Sequence, residues 1–551
     1  MKRNFGTYDS IADYLTAVET DIIDNVTDFL PGDEASSEPL ESSDPKLLHR
    51  YKVNNLVINT QEDGAPVVYL DNPTYMNLVG RAEHISQYGT LITDFTLIKP
   101  GALHTANGGY LILDAEKMLT QPYAWEGLKR ALHSKNITIE SLEKMLSLGS
   151  SVSLEPEPIP LNIKILILGS RDVYYLLHEF DSEFPELFKV QVDLAEHINK
   201  NHENNLLFAR LLATLAKRDT LLPLNSTAVA AIIDHASRIQ EDSSRLTTHM
   251  RSIADILHES HYWANKSGHP LIDADDVHKA IQHRIYRASR ISEQILEAII
   301  NGDIAVDTQG SVIGQINGLS VFSLGENSFG QPTRITATTH IGDGDLIDIE
   351  REVELGGALH SKGVLILSAF IASRYAQNQP LALSASLVFE QSYGMVDGDS
   401  ASMAELCALL SSLAGVAINQ AIAMTGSVNQ RGISQPIGGV NFKIEGFYQV
   451  CKAHGLSGDQ GVIIPKTNLR HLMLNDEVIQ AVENGHFSIF AIDNIDQAME
   501  ILTGIPMGHI DANGHYPAGS LNGLILERLG EMAKIRHNFG ENSKESTDNN
   551  G

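Results

Sequence analysis

The sequence predicts a multidomain protein in which an α/β domain, an all-helical domain and a mixed α+β domain follow one another. Three observations support this class. Short apolar runs alternate with helical patterns over 51–198, which is typical of a parallel sheet. Strand signals are nearly absent from 199–292, and glycines with β-branched runs mark 293–508. The chain has 551 residues, which at about 150 residues per domain allows three or four domains.

Residues 1–50 and 509–551 flank these domains. Apolar residues recur at three- and four-residue steps from Ile11 to Val26, which predicts a helical stub. The segment 36–45 is rich in serine, proline and acidic residues, and it is predicted to be a linker. Residues 509–551 are mainly polar, so we expect a partly disordered tail.

The composition of the chain excludes several classes of protein. Lysine plus arginine is 40 and aspartate plus glutamate is 69, so the net charge is 40 − 69 = −29 and a nucleic-acid partner is not expected. Two cysteines, Cys407 and Cys451, cannot form a disulfide framework or a four-cysteine zinc site, and we predict no metal site. A leader pattern and a run of about 18 apolar residues are both absent, so we expect a cytoplasmic protein without a membrane partner.

The α/β domain is predicted to contain four strands and one connecting helix. Strand patterns cover 55–58, 66–70, 109–114 and 163–169, the last two as buried strands, and a helix is predicted around 124–133. The strand at 109–114 ends in Asp114. Leucine-rich helical patterns begin soon after the α/β domain and continue to the end of the all-helical region.

The segment from Met395 to Glu405 is the most informative part of the sequence. A turn that contains Gly398 leads into an apolar-periodic helix and delivers Ser400 to the helix N-terminus. Unpaired backbone N–H groups and the positive end of the helix dipole lie there, so an oxyanion could be held beside the serine hydroxyl. A simple N-cap is the alternative, because serine and aspartate are preferred caps.

A second segment supplies a candidate base for this serine. A Gly-Gly turn at 438–439 leads into another helix, with Lys443 in its first turn. The helix dipole disfavours a cation at that position, and apolar neighbours such as Phe442 and Phe447 would lower the pKa of the lysine further. The alternative is a surface lysine that reaches solvent.

Ser400 and Lys443 are 443 − 400 = 43 residues apart, and their segments together resemble the proteolytic domain of the Lon protease family, whose members use a Ser–Lys dyad. The Asp-Gly-Asp-Ser-Ala-Ser pattern is similar to the B-type pattern rather than to the A-type pattern, which has proline before the serine. The resemblance covers roughly residues 8–510. Further similar segments are 314–319, 356–363, Thr425-Gly426 and 436–443.

The resemblance implies a Lon-type proteolytic domain over 293–508 and roles for four residues. Ser400 would be the nucleophile and Lys443 the general base, with Thr425 orienting the lysine amine. Asp397 matches an acidic position that in B-type members can pair with the lysine. A carboxylate beside the ammonium would raise the pKa of Lys443 and hold the dyad in an off state.

Lon proteases couple the dyad to an AAA+ ATPase, and the sequence resembles only part of that motor. Residues 51–198 resemble an AAA+-like partial core and 199–292 a helical lid domain. Asp114 ends a strand that is similar to a Walker B strand, whose aspartate assists Mg²⁺, although strands that end in aspartate are common. No G-x-x-x-x-G-K-[ST] motif occurs, so nothing matches the Walker A loop.

We therefore expect a chain that begins after the P-loop region of longer relatives. ATP and Mg²⁺, which the family implies, are not expected to be required for peptide hydrolysis. The function indicated is a Lon-like serine endopeptidase that acts on proteins or peptides through an acyl-enzyme. The resemblance also implies a homo-oligomer, a hexameric ring in the family. An inactive scaffold or regulatory subunit is the alternative, and His340 and His360 receive no role.

Overall fold

The computed structural model divides the chain into two compact units, Met1–Leu194 and Ala195–Gly551. The predicted linker at 36–45 lies outside the described residues. The structure describes residues 8–29, 49–58, 64–87, 90–140, 154, 156–325, 327–377, 381–512 and 514–548.

The first unit contains a parallel three-stranded sheet, formed by three of the four predicted strands. Its strand order is β1-β6-β9, and the predicted helix around 124–133 is confirmed as α5. The strand predicted at 55–58 is wrong, because so short an apolar run does not distinguish a strand from a loop. The helices and strands of this unit are α1 (Asp9–Asp24), β1 (Val67–Leu70), α2 (Tyr75–Val79), β2 (Arg81–Ala82), β3 (Ile85–Gln87), β4 (Thr90–Ile92), β5 (Ile98–Lys99), α3 (Ala102–Thr105), β6 (Tyr110–Asp114), α4 (Ala115–Leu119), α5 (Ala124–Ser134), β7 (Asn136–Ile137), β8 (Ile159–Pro160), β9 (Lys164–Leu168), α6 (Arg171–Phe180) and α7 (Phe184–Leu187).

The core of this unit lies on one face of the sheet. Leu111 and Leu113 of β6 alternate with more exposed residues, and they pack with Leu78 of α2 and Leu128 of α5. This period of two is the pattern of a strand with one covered face. Helix α1 forms where the helical stub is predicted, and none of its residues is buried.

The second unit begins with a helical domain, which we define as residues 197–288. Buried leucine, isoleucine and valine side chains from α8 to α11 form its core. Two short strands, β10 and β11, also pair antiparallel, which the sequence did not predict. Its elements, and the helix that follows it, are β10 (His197–Asn199), α8 (His202–Arg218), α9 (Ser226–Ile239), β11 (Arg245–Thr247), α10 (Met250–Ser267), α11 (Ala274–Ala288) and α12 (Arg290–Ile300).

A seven-stranded domain, defined as residues 311–503, follows the helical domain. Its main sheet has the order β15-β16-β14-β13-β18-β21-β22 and mixes parallel with antiparallel pairs. Its elements are β12 (Ser311–Ile313), β13 (Gln315–Leu324), β14 (Asn327–Ile341), β15 (Leu346–Asp348), α13 (Ile349–Glu352), α14 (Ala358–Tyr375), β16 (Leu383–Phe389), α15 (Ser402–Ala414), β17 (Ala417–Asn419), β18 (Ile422–Met424), β19 (Ser427–Val428), β20 (Ser434–Gln435), α16 (Val440–His454), β21 (Gly461–Pro465), α17 (Asp476–Glu483), β22 (Ser488–Ile492) and α18 (Ile495–Thr503).

Two helices of this domain are fixed closely against the sheet. Helix α15 is apolar on nearly every side and is buried along most of its length, as expected of a central helix. Helix α16 approaches β14 at a pair of glycines, where a Cβ added at Gly446 would lie 2.2 Å from the carbonyl oxygen of Gly330. Any side chain at Gly446 would therefore push α16 away from the sheet. None of the described helices combines the length and apolar character needed to cross a bilayer.

The prediction of a polar tail over 509–551 is wrong for most of that segment. Helix α19 (Leu521–Asp548) follows α18, and its first three turns pack into the same core as α15. The physical reason is an apolar stripe at helical spacing, which the polar average composition conceals. Residues 549–551 lie outside the described residues. The fully or nearly fully buried side chains of the stripe are Leu521, Ile525, Leu529 and Met532.

Replacing Leu529 by alanine is expected to destabilise this domain by about 2–5 kcal/mol, because it leaves a cavity in a closed core. The matched control is Ile535→Ala on the same helix, since Ile535 is 52 % exposed and should lose little. Differential scanning calorimetry of the full chain measures both changes. Equal, small shifts of the melting temperature in the two variants would contradict the packing of α19.

Candidate active site

Ser400 lies on the turn that connects β16 to α15. Gly398 in this turn has φ +97°, a left-handed conformation that favours glycine, and Ser400 comes two residues before the helix begins at Ser402. The carbonyl oxygen of Ser400 accepts hydrogen bonds from the Gly426 amide (2.9 Å) and the Thr425 hydroxyl (3.3 Å). Thr425 and Gly426, which directly follow β18, therefore hold the backbone of Ser400 in place.

Lys443 extends from the first turn of α16 to this serine. Its Nζ donates hydrogen bonds to Ser400 Oγ (2.9 Å) and to Thr425 Oγ1 (3.1 Å). Lys443 is only 3 % exposed and Thr425 is fully buried. Two residues that are predicted from separate segments of the sequence thus meet within hydrogen-bond distance, and the predicted partner of the amine is in contact with it.

The environment of Lys443 makes the neutral amine more accessible than it is in an ordinary lysine. Burial lowers the pKa of Lys443 to about 8, and the negative charges of Asp399 and Glu241 oppose this shift without cancelling it. A fraction of the amine is therefore unprotonated near neutral pH. A neutral amine beside a serine hydroxyl can accept its proton, which is the requirement for activating this nucleophile.

The predicted pairing of Asp397 with Lys443 does not occur in this structure. Asp397 is exposed, and its Oδ1 accepts a hydrogen bond from the Leu359 amide (3.2 Å) at the start of α14. A helix N-terminus offers unpaired N–H groups and a positive dipole end, so it attracts the carboxylate instead. Another acid of this motif, Asp399, supplies the negative charge that acts on Lys443. Asp399 Oδ2 also accepts a hydrogen bond from the Ser427 hydroxyl (2.8 Å).

The helical domain contributes a residue to this site that the sequence analysis did not identify. Glu241 Oε2 accepts a hydrogen bond from the Gly439 amide (3.0 Å), directly before α16 begins. Three residues earlier, Arg238 forms a bidentate ion pair with Glu445 of α16, with a shortest N–O distance of 2.7 Å. The helix that bears Lys443 is therefore held from both domains. No local pattern around Glu241 could have indicated this contact.

The predicted nucleotide-site residue lies in the first unit. Asp114 stands at the end of β6, and its Oδ1 accepts a hydrogen bond from the Lys117 amide (2.8 Å). The side chain is thus the N-cap of α4, which is the ordinary structural use of an aspartate after a strand. A role for Asp114 toward Mg²⁺ stays a prediction.

Family models match three parts of the chain. Residues 63–195 match a LonB-like AAA domain, and 223–287 match the LID domain of an archaeal LonB AAA+ ATPase. Residues 392–504, which include both Ser400 and Lys443, match the C-terminal proteolytic domain of Lon protease (S16).

Full-length relatives agree with these matches. A protein of Escherichia coli (strain K12) named a Lon protease homolog is 38 % identical over 452 residues, which cover 81 % of this chain and 74 % of the relative. A homolog of Haemophilus influenzae is 36 % identical over 78 % of this chain and 70 % of its own. An archaeal Lon protease of Pyrococcus abyssi is 25 % identical over 82 % of this chain and 43 % of its own length. The chain belongs to the Lon protease family.

Proposed function

We propose that the protein is a serine endopeptidase that hydrolyses peptide bonds with Ser400 as nucleophile and Lys443 as general base. The main support is the 2.9 Å contact between Ser400 Oγ and the buried Lys443 Nζ. Burial matters here because it lowers the pKa of Lys443 to about 8, so the base form is accessible. A lysine paired with a carboxylate would lack this property.

In the proposed reaction, neutral Lys443 takes the hydroxyl proton of Ser400 as Oγ attacks the scissile carbonyl carbon. The negative charge that develops on the carbonyl oxygen is received by backbone amides at Ser400 and a neighbouring residue. The tetrahedral intermediate collapses, the C–N bond breaks and the lysine ammonium protonates the leaving amine. Water, deprotonated by the same amine, then hydrolyses the ester and restores the serine.

We infer that the substrates are proteins or peptides, as in the Lon family. The resemblance also implies a homo-oligomer, which in the family is a hexameric ring. The family model over 63–195 connects the chain to AAA+ domains, which use nucleotide and Mg²⁺. Because the sequence has no Walker A motif, we propose that peptide hydrolysis itself is independent of ATP.

Cleavage of casein and of a fluorogenic peptide, with and without Mg-ATP, tests this function. Ser400→Ala and Lys443→Met are each expected to lower kcat by about 10⁴-fold or more, since each removes one member of a unit that acts jointly. The wild-type rate on the short peptide should not depend on ATP. Lys452→Met is the matched control, because Lys452 lies on the same helix but is exposed and paired with Glu477.

Two outcomes would contradict the proposal. Equal activity in wild type and both site variants would exclude the dyad. Complete inactivity of a correctly folded, assembled wild type on all substrates would favour the alternative, a scaffold or regulatory subunit with the Lon fold. Stimulation of short-peptide cleavage by ATP would overturn only the claim of ATP independence.

Thr425 is proposed as a positioning residue for the lysine amine. Thr425→Val keeps the shape of the side chain but removes the acceptor that lies 3.1 Å from Lys443 Nζ. A hydrogen bond to a charged group contributes about 1.5–3 kcal/mol, so kcat should fall by roughly 10-fold or more. Thr425→Ser restores the hydroxyl and should recover most of the rate. A valine variant with an unchanged kcat and pH profile would refute this role.

Activity is expected to rise with pH and to reach half its maximum near pH 8, because the base form of Lys443 is required and burial sets its pKa to about 8. The charge of Glu241 raises this pKa, so Glu241→Gln should move the rising limb to lower pH. The glutamine side chain can still accept the hydrogen bond from the Gly439 amide. The variant therefore removes the negative charge but keeps the contact at the start of α16. Glu477→Gln is the control and should leave the profile in place. A profile that moves to higher pH in Glu241→Gln would contradict the electrostatic argument.

A further inference from the structure

A second cluster of ionisable side chains lies inside the seven-stranded domain, separate from the serine and lysine. Asp348 and Glu350 are each 3 % exposed, and His360 and Glu405 are each 1 % exposed. They come from four different elements, namely the end of β15, α13, α14 and α15. Charged groups are almost never buried to this degree unless they are paired or bind a metal.

Hydrogen bonds within the protein leave this cluster incomplete. Among the described residues, both carboxylate oxygens of Asp348, Oε2 of Glu350, Nε2 of His360 and Oε1 of Glu405 are buried without a hydrogen-bond partner. The imidazole Nε2 lies 3.2 Å from Asp348 Oδ2 without hydrogen-bond alignment, and its 3.8 Å distance from Glu405 Oε1 is too long for a hydrogen bond. Five buried polar atoms in one place therefore lack the hydrogen bonds that buried polar groups normally make.

The spacing of these atoms fits a coordination sphere. One ligand atom each from Asp348, Glu350 and His360 lies within 4.8 Å of the other two. Ligands about 2.0 Å from a tetrahedral zinc ion are separated by roughly 3.3 Å from one another. The 3.2 Å distance from His360 Nε2 to Asp348 Oδ2 is close to that value.

The charges of these three ligands point to the same conclusion. Two carboxylates and a neutral imidazole sum to −2, which a divalent cation balances inside the protein. An imidazole nitrogen with carboxylate oxygens is a donor set that first-row divalent cations accept, and zinc binds it readily. Calcium and magnesium prefer oxygen-only sites, so they fit less well.

We infer that Asp348, Glu350 and His360 form a buried structural site for a first-row divalent cation, zinc by preference, with Glu405 beside it as a further potential ligand. The cation would connect β15, α13 and α14, and through Glu405 it would reach α15, the helix that follows Ser400 by two residues. Glu350 Oε1 already accepts the Phe389 amide (2.8 Å), so the last residue of β16 is attached to the same centre. The site would hold together the elements that support the serine turn.

The metal content of the purified full chain tests this inference. Inductively coupled plasma mass spectrometry of protein expressed with added zinc should find about one equivalent per chain. Asp348→Asn and His360→Gln should each lose it. His269→Gln is the matched control and should retain the metal, because His269 belongs to a more exposed cluster with Asp273 and Asp276 that could also collect cations. Metal that persists in both site variants, or that disappears in the control alone, would overturn the assignment.

A measurement on the wild type keeps the test valid if the variants fail to fold. A strong chelator should lower the melting temperature of the wild type, and added Zn²⁺ should restore it. Replacement by Co²⁺ should produce the visible absorption of a low-symmetry site with one nitrogen and several oxygen ligands. A wild type that is free of metal, insensitive to chelator and colourless with Co²⁺ would show that the cluster only shares protons, and the inference would be wrong.

Discussion

The proposed chemistry depends on the burial of one lysine. Lys443 is 3 % exposed, and water is replaced around its amine by two hydroxyls rather than by a carboxylate. This surrounding lowers the pKa of Lys443 to about 8, because the ammonium form loses more solvation than the hydroxyls return. The same burial orients Nζ toward Ser400, so the position and the protonation state of the candidate base have a common origin.

The architecture explains how such a lysine is kept out of water. Helix α16 lies close to β14 because Gly330 and Gly446 let the two backbones approach, and the central helix α15 fills the other side of the sheet with apolar side chains. From the helical domain, Glu241 and Arg238 hold α16 near its N-terminus. A displacement of the helical domain would therefore change both the position of α16 and the charge near Lys443.

Several features of the site could be predicted from the sequence and several could not. Glycine turns before apolar helices indicated Ser400 and Lys443, since local backbone geometry and hydrophobic period are encoded nearby in the chain. Asp397 was the acid predicted to lie beside the lysine, but in the folded chain it accepts from the N-terminus of α14, and the charge of Asp399 acts on Lys443 instead. His360 looked like an isolated histidine because the acids around it, from Asp348 to Glu405, are distant in sequence. Helix α19 was missed because its apolar stripe is diluted by polar residues.

Local patterns in the chain were sufficient to predict the order of the domains, the parallel sheet of the first unit, the family and the two segments that hold the candidate dyad. This was possible because strand and helix periods and glycine turns are local properties. Only the packed chain shows which carboxylate lies near the lysine, that Glu241 reaches α16 from another domain, and that Asp348, Glu350 and His360 lie together in the interior. Those results depend on burial and on distances between remote residues, and these exist only once the chain is packed.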